Sequence, residues 1–234
     1  MIIKKMLLTP NKYSRPQIKL KEIKKIVIHY VGNPNTTAIN NRNYFENLKY
    51  GHNGVYASSH YIVGLDGEII QCIPENEIAY ASYNANCYSI SIENCHSNKD
   101  GKFNSKTENS LIELCADICK RYNLNPITDI IRHYDIPKEN GYRKKCPLYW
   151  VEHEDDFIRF KNKVNEILNN TQKEDNNEMT KYYNSISECP VGFRNTIQKL
   201  IDKKYLLGDE NGDLKLTYDM MRTFVILDRA NLFK

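Results

Sequence analysis

Short apolar strands alternate with amphipathic helices through the first two thirds of this chain of 234 residues. Residues 26–28 form an apolar run typical of a buried strand, and residues 88–93 alternate between apolar and polar side chains. Apolar residues at helical spacing follow at 111–122 and again at 157–168. Strands interleaved with helices in this way indicate an α/β layer fold.

Two local patterns refine this expectation. The β-prone runs 60–65 and 68–73 flank the pair Asp66-Gly67, which is favoured in the type I′ turn of a hairpin. Thr36 and Thr37 precede a run with helical spacing, and a threonine hydroxyl there can cap the helix. In the strand 88–93, we expect one face to hold Tyr88, Ile90 and Ile92 and the opposite face to hold Ser89, Ser91 and Glu93.

The composition changes at residues 169–181, where thirteen residues contain one apolar side chain. Such a segment is typical of a linker. We therefore expect a catalytic domain over residues 1–168 and a small, mainly helical domain over residues 182–234. Helical patterns in the latter run from Phe193 to Tyr205 and onward from Thr217.

Charge and hydropathy argue against several classes of protein. No apolar run approaches the ~18 residues of a membrane span, and no nucleic-acid-binding motif is present. The first 25 residues contain eight Lys or Arg and one Glu, which form either a solvated basic arm or a surface for an anionic partner such as a phosphate-bearing cell wall. They lack the apolar core of a signal peptide, so we expect a cytoplasmic protein until release, with reduced cysteines.

Three residues are candidate metal ligands: His29 at the end of the first apolar run, and His133 and Cys146 further along the chain. Two imidazoles and one thiolate form a set that binds Zn²⁺, and three protein ligands leave a fourth position open, as in catalytic zinc sites. Cys115 and Cys119, four residues apart on a helix, could also pair as ligands, but core packing is favoured.

Zinc polarises a carbonyl group and lowers the pKa of bound water toward about 7. Such a site also needs an acid or base and a group that stabilises an oxyanion. Glu93 is the acid/base candidate and Lys144 the cationic candidate. From the pattern alone, an ordinary solvated side chain is the favoured interpretation of each. His60 either lines the cleft or is a hydrogen-bonded structural histidine.

Five stretches, in this order, resemble the type 2 N-acetylmuramoyl-L-alanine amidases: Ile26–Pro34, Ala57–Pro74, Ser89–Glu93, Arg132–Asp135 and Lys144–Pro147. The resemblance extends over residues 20–165 and is closest to the amidases of clostridial phage endolysins and autolysins. It implies a central mixed β-sheet flanked by helices, with a zinc ion at the floor of a groove.

The same resemblance implies roles for particular residues. His29, His133 and Cys146 match the zinc ligands of the family. Glu93 matches its catalytic glutamate, and Lys144 matches the lysine two residues before the cysteine ligand. Because Lys145 is adjacent, the choice between Lys144 and Lys145 stays open.

The implied activity is hydrolysis of the amide between N-acetylmuramic acid and L-alanine in the peptidoglycan of a Gram-positive, clostridial wall, causing lysis. Residues 182–234 resemble the wall-binding modules of clostridial phage endolysins, although a small stabilising or dimerising domain is the alternative. A non-catalytic peptidoglycan-binding protein and a zinc hydrolase of another amide are the competing functions; Cys146 favours an enzyme.

Overall fold

Six short strands form a single mixed sheet in the computed structural model, which describes residues 1–51 and 54–233 and, for residues 171–180, the backbone alone. The strands are β1 (Ile3–Lys5), β2 (Lys25–Tyr30), β3 (Tyr61–Val63), β4 (Ile69–Gln71), β5 (Ser89–Asn94) and β6 (Ile130–Arg132). Their spatial order is β1-β4-β3-β5-β2-β6, with β3 and β4 antiparallel and every other pair parallel. The expected mixed sheet is confirmed.

Helices flank this sheet, as expected from the α/β pattern. They are α1 (Ala38–Asn47), α2 (Ser105–Tyr122), α3 (Pro126–Asp129), α4 (Leu148–Glu152) and α5 (Glu154–Thr180). Thr37 caps α1, because its hydroxyl accepts the backbone N–H of Asn40 while the Asn40 side chain accepts the N–H of Thr37. The predicted apolar face of α2 is buried. In α5, Phe157, Phe160, Val164 and Leu168 are buried as predicted, whereas Ile167 is exposed.

The β3–β4 hairpin has a longer turn than the pair Asp66-Gly67 predicts. The N–H of Gly64 donates to the carbonyl of Glu68 at 2.8 Å, so three residues form the loop instead of two. Gly67 adopts a left-handed φ of 82°, and a glycine in this conformation at the end of a three-residue loop is common. The predicted two-residue turn is wrong because the hairpin closes between Gly64 and Glu68, one position further out on the first strand only, which adds Leu65 to the loop.

Alternate residues of the central strands β2 and β5 point to opposite faces of the sheet. On one face, Ile26, Ile28, Ile90 and Ile92 are fully buried against apolar residues of α2 and α5. On the other face, His29 lies directly opposite Glu93 in the parallel register. The strand placement therefore brings two candidate functional residues together on the face that α2 and α5 leave open.

The helix α1 covers the neighbouring part of that second face. Phe45 and Leu48 pack there against Ile62 and Ile70 of the hairpin. Tyr88, expected beside Ile90, packs instead on this face with Val27, because regular strand structure begins only at Ser89.

The chain divides into two compact units, Met1–Leu168 and Asn169–Lys234. The segment 169–181, whose composition is typical of a linker, continues α5 as far as Thr180, because it contains no proline or glycine that would end a helix. The second unit contains α6 (Val191–Asp202) and α7 (Tyr218–Arg229), so its mainly helical character is confirmed.

A small apolar core holds the second unit together. Ile197 and Leu200 of α6 and Met221 of α7 are buried in it with Cys189. The Thr217 hydroxyl caps α7 by accepting the N–H of Met220 at 3.3 Å. Among the helices that the structure describes, none has the length and apolar character needed to cross a bilayer.

Candidate metal centre and catalytic pocket

His29, His133 and Cys146 converge on one buried point, although up to 117 residues of chain separate them. His29 lies in β2, His133 begins a short 3-10 helix after β6, and Cys146 precedes α4. The Nδ1 atoms of the two histidines are 3.1 Å apart, and Cys146 Sγ is 3.8 Å from His29 Nδ1. Within the described residues this is the one His/Cys/Asp/Glu group with metal-binding spacing.

The donor atoms fit a zinc ion. Tetrahedral ligands at the usual Zn–N and Zn–S distances lie about 3.3 Å (N to N) and about 3.6 Å (N to S) apart, close to the separations found. Burial and then Lys144 lower the pKa of His133 to about 4, so its ring is neutral with a lone pair to donate. Burial raises the pKa of Cys146 to about 12, and a bound cation would reverse this by stabilising the thiolate.

Backbone and side-chain hydrogen bonds hold the two later ligands in place. The N–H of Tyr134 donates to the carbonyl of Cys146 at 3.0 Å, which joins the segments that carry His133 and Cys146. Arg132, 5 % exposed, donates to Asp135 and to the carbonyl of Trp150, both at 2.9 Å. The loop between the two ligands is therefore closed at its base.

The second ring nitrogen of His29, Nε2, also has a hydrogen-bond partner. His29 Nε2 lies 3.0 Å from the Ser82 hydroxyl, which lies 3.0 Å from the Ser91 hydroxyl. If Nδ1 is the ligand atom, Nε2 carries the proton and donates it to Ser82. This chain of hydroxyls orients the ring so that Nδ1 faces His133 and Cys146.

Glu93 lies beside the metal ligands. Its Oε1 atom is 4.0 Å from His29 Nδ1, and 17 % of the side chain is exposed. Within the described residues, its Oε2 atom is buried without a hydrogen-bond partner. Burial raises the pKa of this carboxyl to about 8, against the opposing effect of Lys144. A carboxyl with a pKa near neutrality, opening into a pocket, is suited to proton transfer.

Lys144 lines the same pocket of about 340 Å³ as His29, His133 and Glu93. Burial has the largest effect on each of these groups: it lowers the pKa of His29 and His133 and raises that of Glu93. The charge of Lys144 lowers the pKa of all three. Lys145 instead lies 3.6 Å from the carboxylate of Glu152. The geometry therefore favours Lys144 over Lys145 as the lysine of this site.

The remaining candidates have structural positions. His60 is fully buried; its Nδ1 accepts the N–H of Ser91 at 3.0 Å, and its Nε2 lies 2.9 Å from the carbonyl of Glu77. It is thus the hydrogen-bonded structural histidine of the two alternatives. Cys115 and Cys119 are buried among the apolar residues of the main core, as core packing predicts.

Sequence reasoning missed the residues that form the walls of the pocket. Tyr83 lines it and packs its ring against that of His133, with 4.8 Å between centroids. Tyr83 has a φ of 50°, a left-handed conformation that is uncommon for a bulky side chain and recurs at functional sites. Tyr56 and Tyr80 also line the pocket. They lie in irregular segments, where no periodic pattern marks them, as does Ser82, the partner of His29 Nε2.

Comparison with known proteins places this geometry in a family. The family model for N-acetylmuramoyl-L-alanine amidase matches residues 19–148. The amidase BlyA of Bacillus subtilis is 39 % identical over 174 residues, which cover 66 % of this chain and 44 % of BlyA. CwlL of Bacillus licheniformis is 38 % identical over 172 residues, covering 68 % and 46 %. The chain thus spans less than half the length of these curated relatives.

Solved structures show the same fold. The structure of PlyL is 30 % identical, covers 70 % of this chain and 97 % of its own, and superposes with a TM-score of 0.56. The amidase LysC from Clostridium intestinale, at 20 % identity, covers 70 % and 98 %, with a TM-score of 0.53, and shows the fold alone. With its mixed sheet and buried His-His-Cys group, the chain belongs to the N-acetylmuramoyl-L-alanine amidase family.

Proposed function

We propose that this chain is a zinc-dependent peptidoglycan hydrolase that cleaves the amide between N-acetylmuramic acid and the L-alanine of the wall peptide. One observation carries the proposal: His29, His133 and Cys146 converge beside Glu93 and Lys144 in a single pocket. A metal donor set, a proton-transfer group and a cation are the parts that amide hydrolysis by water requires.

The residues of the chain divide the reaction between them. His29, His133 and Cys146 would hold a zinc ion, which would supply Lewis acidity toward the scissile carbonyl and the attacking water. Glu93 accepts a proton from the attacking water as the water oxygen bonds to the carbonyl carbon. Lys144 stabilises the negative charge that develops on the carbonyl oxygen. When the C–N bond breaks, Glu93 returns the proton to the leaving nitrogen, giving a free amine and a carboxylic acid, which then ionises by releasing the second proton of the water.

Mass spectrometry of digested Gram-positive walls tests the activity. We expect released peptides with a free N-terminal L-alanine and glycan strands that stay intact. Cleaved glycan strands, or new termini elsewhere in the peptide, would contradict the proposal. Unchanged walls together with retained binding would instead identify a non-catalytic peptidoglycan-binding protein.

Metal analysis tests the donor set separately. The wild-type chain should hold one zinc ion, and Cys146→Ser should lose it, because a hydroxyl is a much poorer zinc ligand than a thiolate. Cys189→Ser, in the core of the second unit, is the matched control and should keep the metal. Retention of zinc by Cys146→Ser would remove the cysteine from the ligand set.

More specifically, we propose that the chain is a phage endolysin acting on a clostridial wall and that residues 182–234 bind the wall. The order of motifs and the small helical unit after α5 support it. Sedimentation with purified clostridial and Bacillus walls tests it: residues 182–234 fused to a fluorescent protein should sediment with clostridial walls. Cell fractionation tests the further prediction that the chain stays in the cytoplasm until release.

A further inference from the structure

The catalytic pocket has two chemically different ends. At one end the lining residues are Phe45, Tyr56, Ala57, Ser58 and Tyr80, and none of these described residues carries a charge. The Tyr56 ring is 5.2 Å from the ring of Tyr13 and 5.7 Å from that of Tyr80. Because Tyr56 is 54 % exposed, this row of rings presents an aromatic surface to solvent, and the Lys12 ammonium lies 4.8 Å from the Tyr13 ring centroid.

The other end continues past Tyr83 into a second cavity of about 370 Å³, which Tyr83 lines together with Asn84, Lys138, Glu139 and Asn140. The Lys138 ammonium lies 4.9 Å from the ring centroid of Tyr83 and 5.5 Å from that of Tyr142. The ammonium contacts these two rings and forms no ion pair with a described residue, so its charge is available to an anion. Charged side chains therefore line this cavity itself, whereas the five lining residues at the first end are uncharged.

The proposed substrate is divided in the same way. On one side of the scissile amide is a sugar, whose only acidic group is consumed in that amide and which is therefore uncharged. On the other side is a peptide that ends in a carboxylate. Tyrosine rings offer an apolar face for the C–H groups of a sugar and hydroxyls for its polar groups, whereas an ammonium group suits a carboxylate. Glu139 adds the opposite charge, which an amine on the peptide would match.

We propose that the sugar of the substrate binds over Tyr56 and Tyr80 and that the peptide runs past Tyr83, with its carboxylate held by Lys138. This inference rests on the proposed function and fixes the direction in which the substrate lies across Glu93 and the metal ligands. It makes Tyr56 and Lys138 residues that determine specificity for opposite halves of the substrate.

Two pairs of synthetic substrates, cleaved by the full chain, test this direction. The first pair carries the same peptide on N-acetylmuramic acid with or without a second, N-acetylglucosamine residue. The second pair ends in a peptide carboxylate or in the corresponding amide. The measurement is the ratio of kcat/KM within each pair, in which any loss of folded protein cancels.

The wild-type chain should prefer the second sugar and the free carboxylate, each by roughly three- to tenfold, the scale of a partly exposed contact. Tyr56→Ala should bring the sugar ratio near one and leave the carboxylate ratio unchanged. Lys138→Gln should do the reverse. Tyr44→Ala, exposed on α1, and Lys102→Gln, whose ammonium lies 5.0 Å from the Tyr149 ring, are matched controls that should change neither ratio.

The opposite pattern, in which Tyr56→Ala changes the carboxylate ratio and Lys138→Gln the sugar ratio, would reverse the direction and overturn the proposal. Unchanged ratios in both variants would also overturn it, while leaving the hydrolytic activity in place. Failure of the zinc-loaded wild-type chain to cleave any of the four substrates would overturn the proposed function itself.

Discussion

The two faces of strands β2 and β5 share one backbone but carry side chains of different character. On the face toward α2 and α5, four isoleucines are fully buried in an apolar core. On the other, His29 and Glu93 lie opposite each other and contact a pocket. Within the described residues, the unpaired buried polar atoms include Glu93 Oε2 and His133 Nε2 on this second face.

Residues that stabilise the fold and residues of the candidate site therefore alternate along these strands. Ile92 and Glu93 are neighbours in sequence, yet one contributes to burial and the other to the pocket. The apolar face holds the strands in register, and the register places the functional side chains. A substitution on one face should therefore change one property and largely spare the other.

The largest expected effect is on the polar face. Glu93→Gln keeps the shape of the side chain but removes the proton acceptor, so kcat should fall by about 10²- to 10⁴-fold. Zinc content and the free energy of unfolding should stay near wild type, as metal analysis and urea unfolding would show. Near-normal wall lysis by zinc-loaded Glu93→Gln would remove Glu93 from the acid/base role.

The neighbouring residue should behave in the opposite way. Ile92→Ala removes three buried carbons beneath α2 and α5, so the free energy of unfolding should fall by about 2–5 kcal/mol. The specific activity of the folded fraction should stay within a few-fold of wild type. Ile92→Val is the graded control, with an expected loss of about 0.5–1.5 kcal/mol; a large fall in kcat for Ile92→Val would show that the faces are coupled.

A smaller effect, on zinc affinity, is expected for Ser82, which lies next to the ligand His29. Ser82→Ala removes the acceptor for Nε2 of His29, so the dissociation constant for zinc should rise by about 10- to 100-fold. Competition with a chromophoric chelator measures this constant independently of catalysis. Ser59→Ala, also buried but bonded to the Tyr61 carbonyl, is the control, and equal zinc affinities in the two variants would contradict the positioning role.

The smallest effect concerns the helix that covers part of the polar face. Burial opposes the charge of Glu46 in α1, but hydrogen bonds from Lys49 and Thr9 outweigh it and lower its pKa from 4.5 to about 2. A lowered pKa stabilises the folded chain above pH 4.5, and this contribution is lost as the pH falls toward 2.

Urea unfolding at pH 6 and pH 3 measures this contribution. Wild type should lose about 1–2 kcal/mol more than Glu46→Gln on acidification. The exposed Glu22→Gln serves as the control and should follow wild type. An identical pH dependence for wild type and Glu46→Gln would contradict the stabilising role of the Glu46 carboxylate.

Much of the fold follows from local patterns. Helix caps such as Thr37 and Thr217 depend on contacts within a few residues of chain, and strand alternation at 89–93 depends on backbone geometry alone. The hairpin is predictable for the same reason, whereas its exact loop is not, because the closing bond between Gly64 and Glu68 depends on the register of both strands.

The sequence by itself determined which residue types could do the chemistry: His29, His133, Cys146, Glu93 and either Lys144 or Lys145. Only the tertiary structure decided how they meet, since the Nδ1 atoms of His29 and His133 come from positions 104 residues apart. It also placed Lys144 in the pocket and Lys145 beside Glu152, and it brought Tyr83 next to His133 and Ser82 next to His29. These choices depend on strand register, loop closure and burial, which are properties of distant contacts that no local pattern contains.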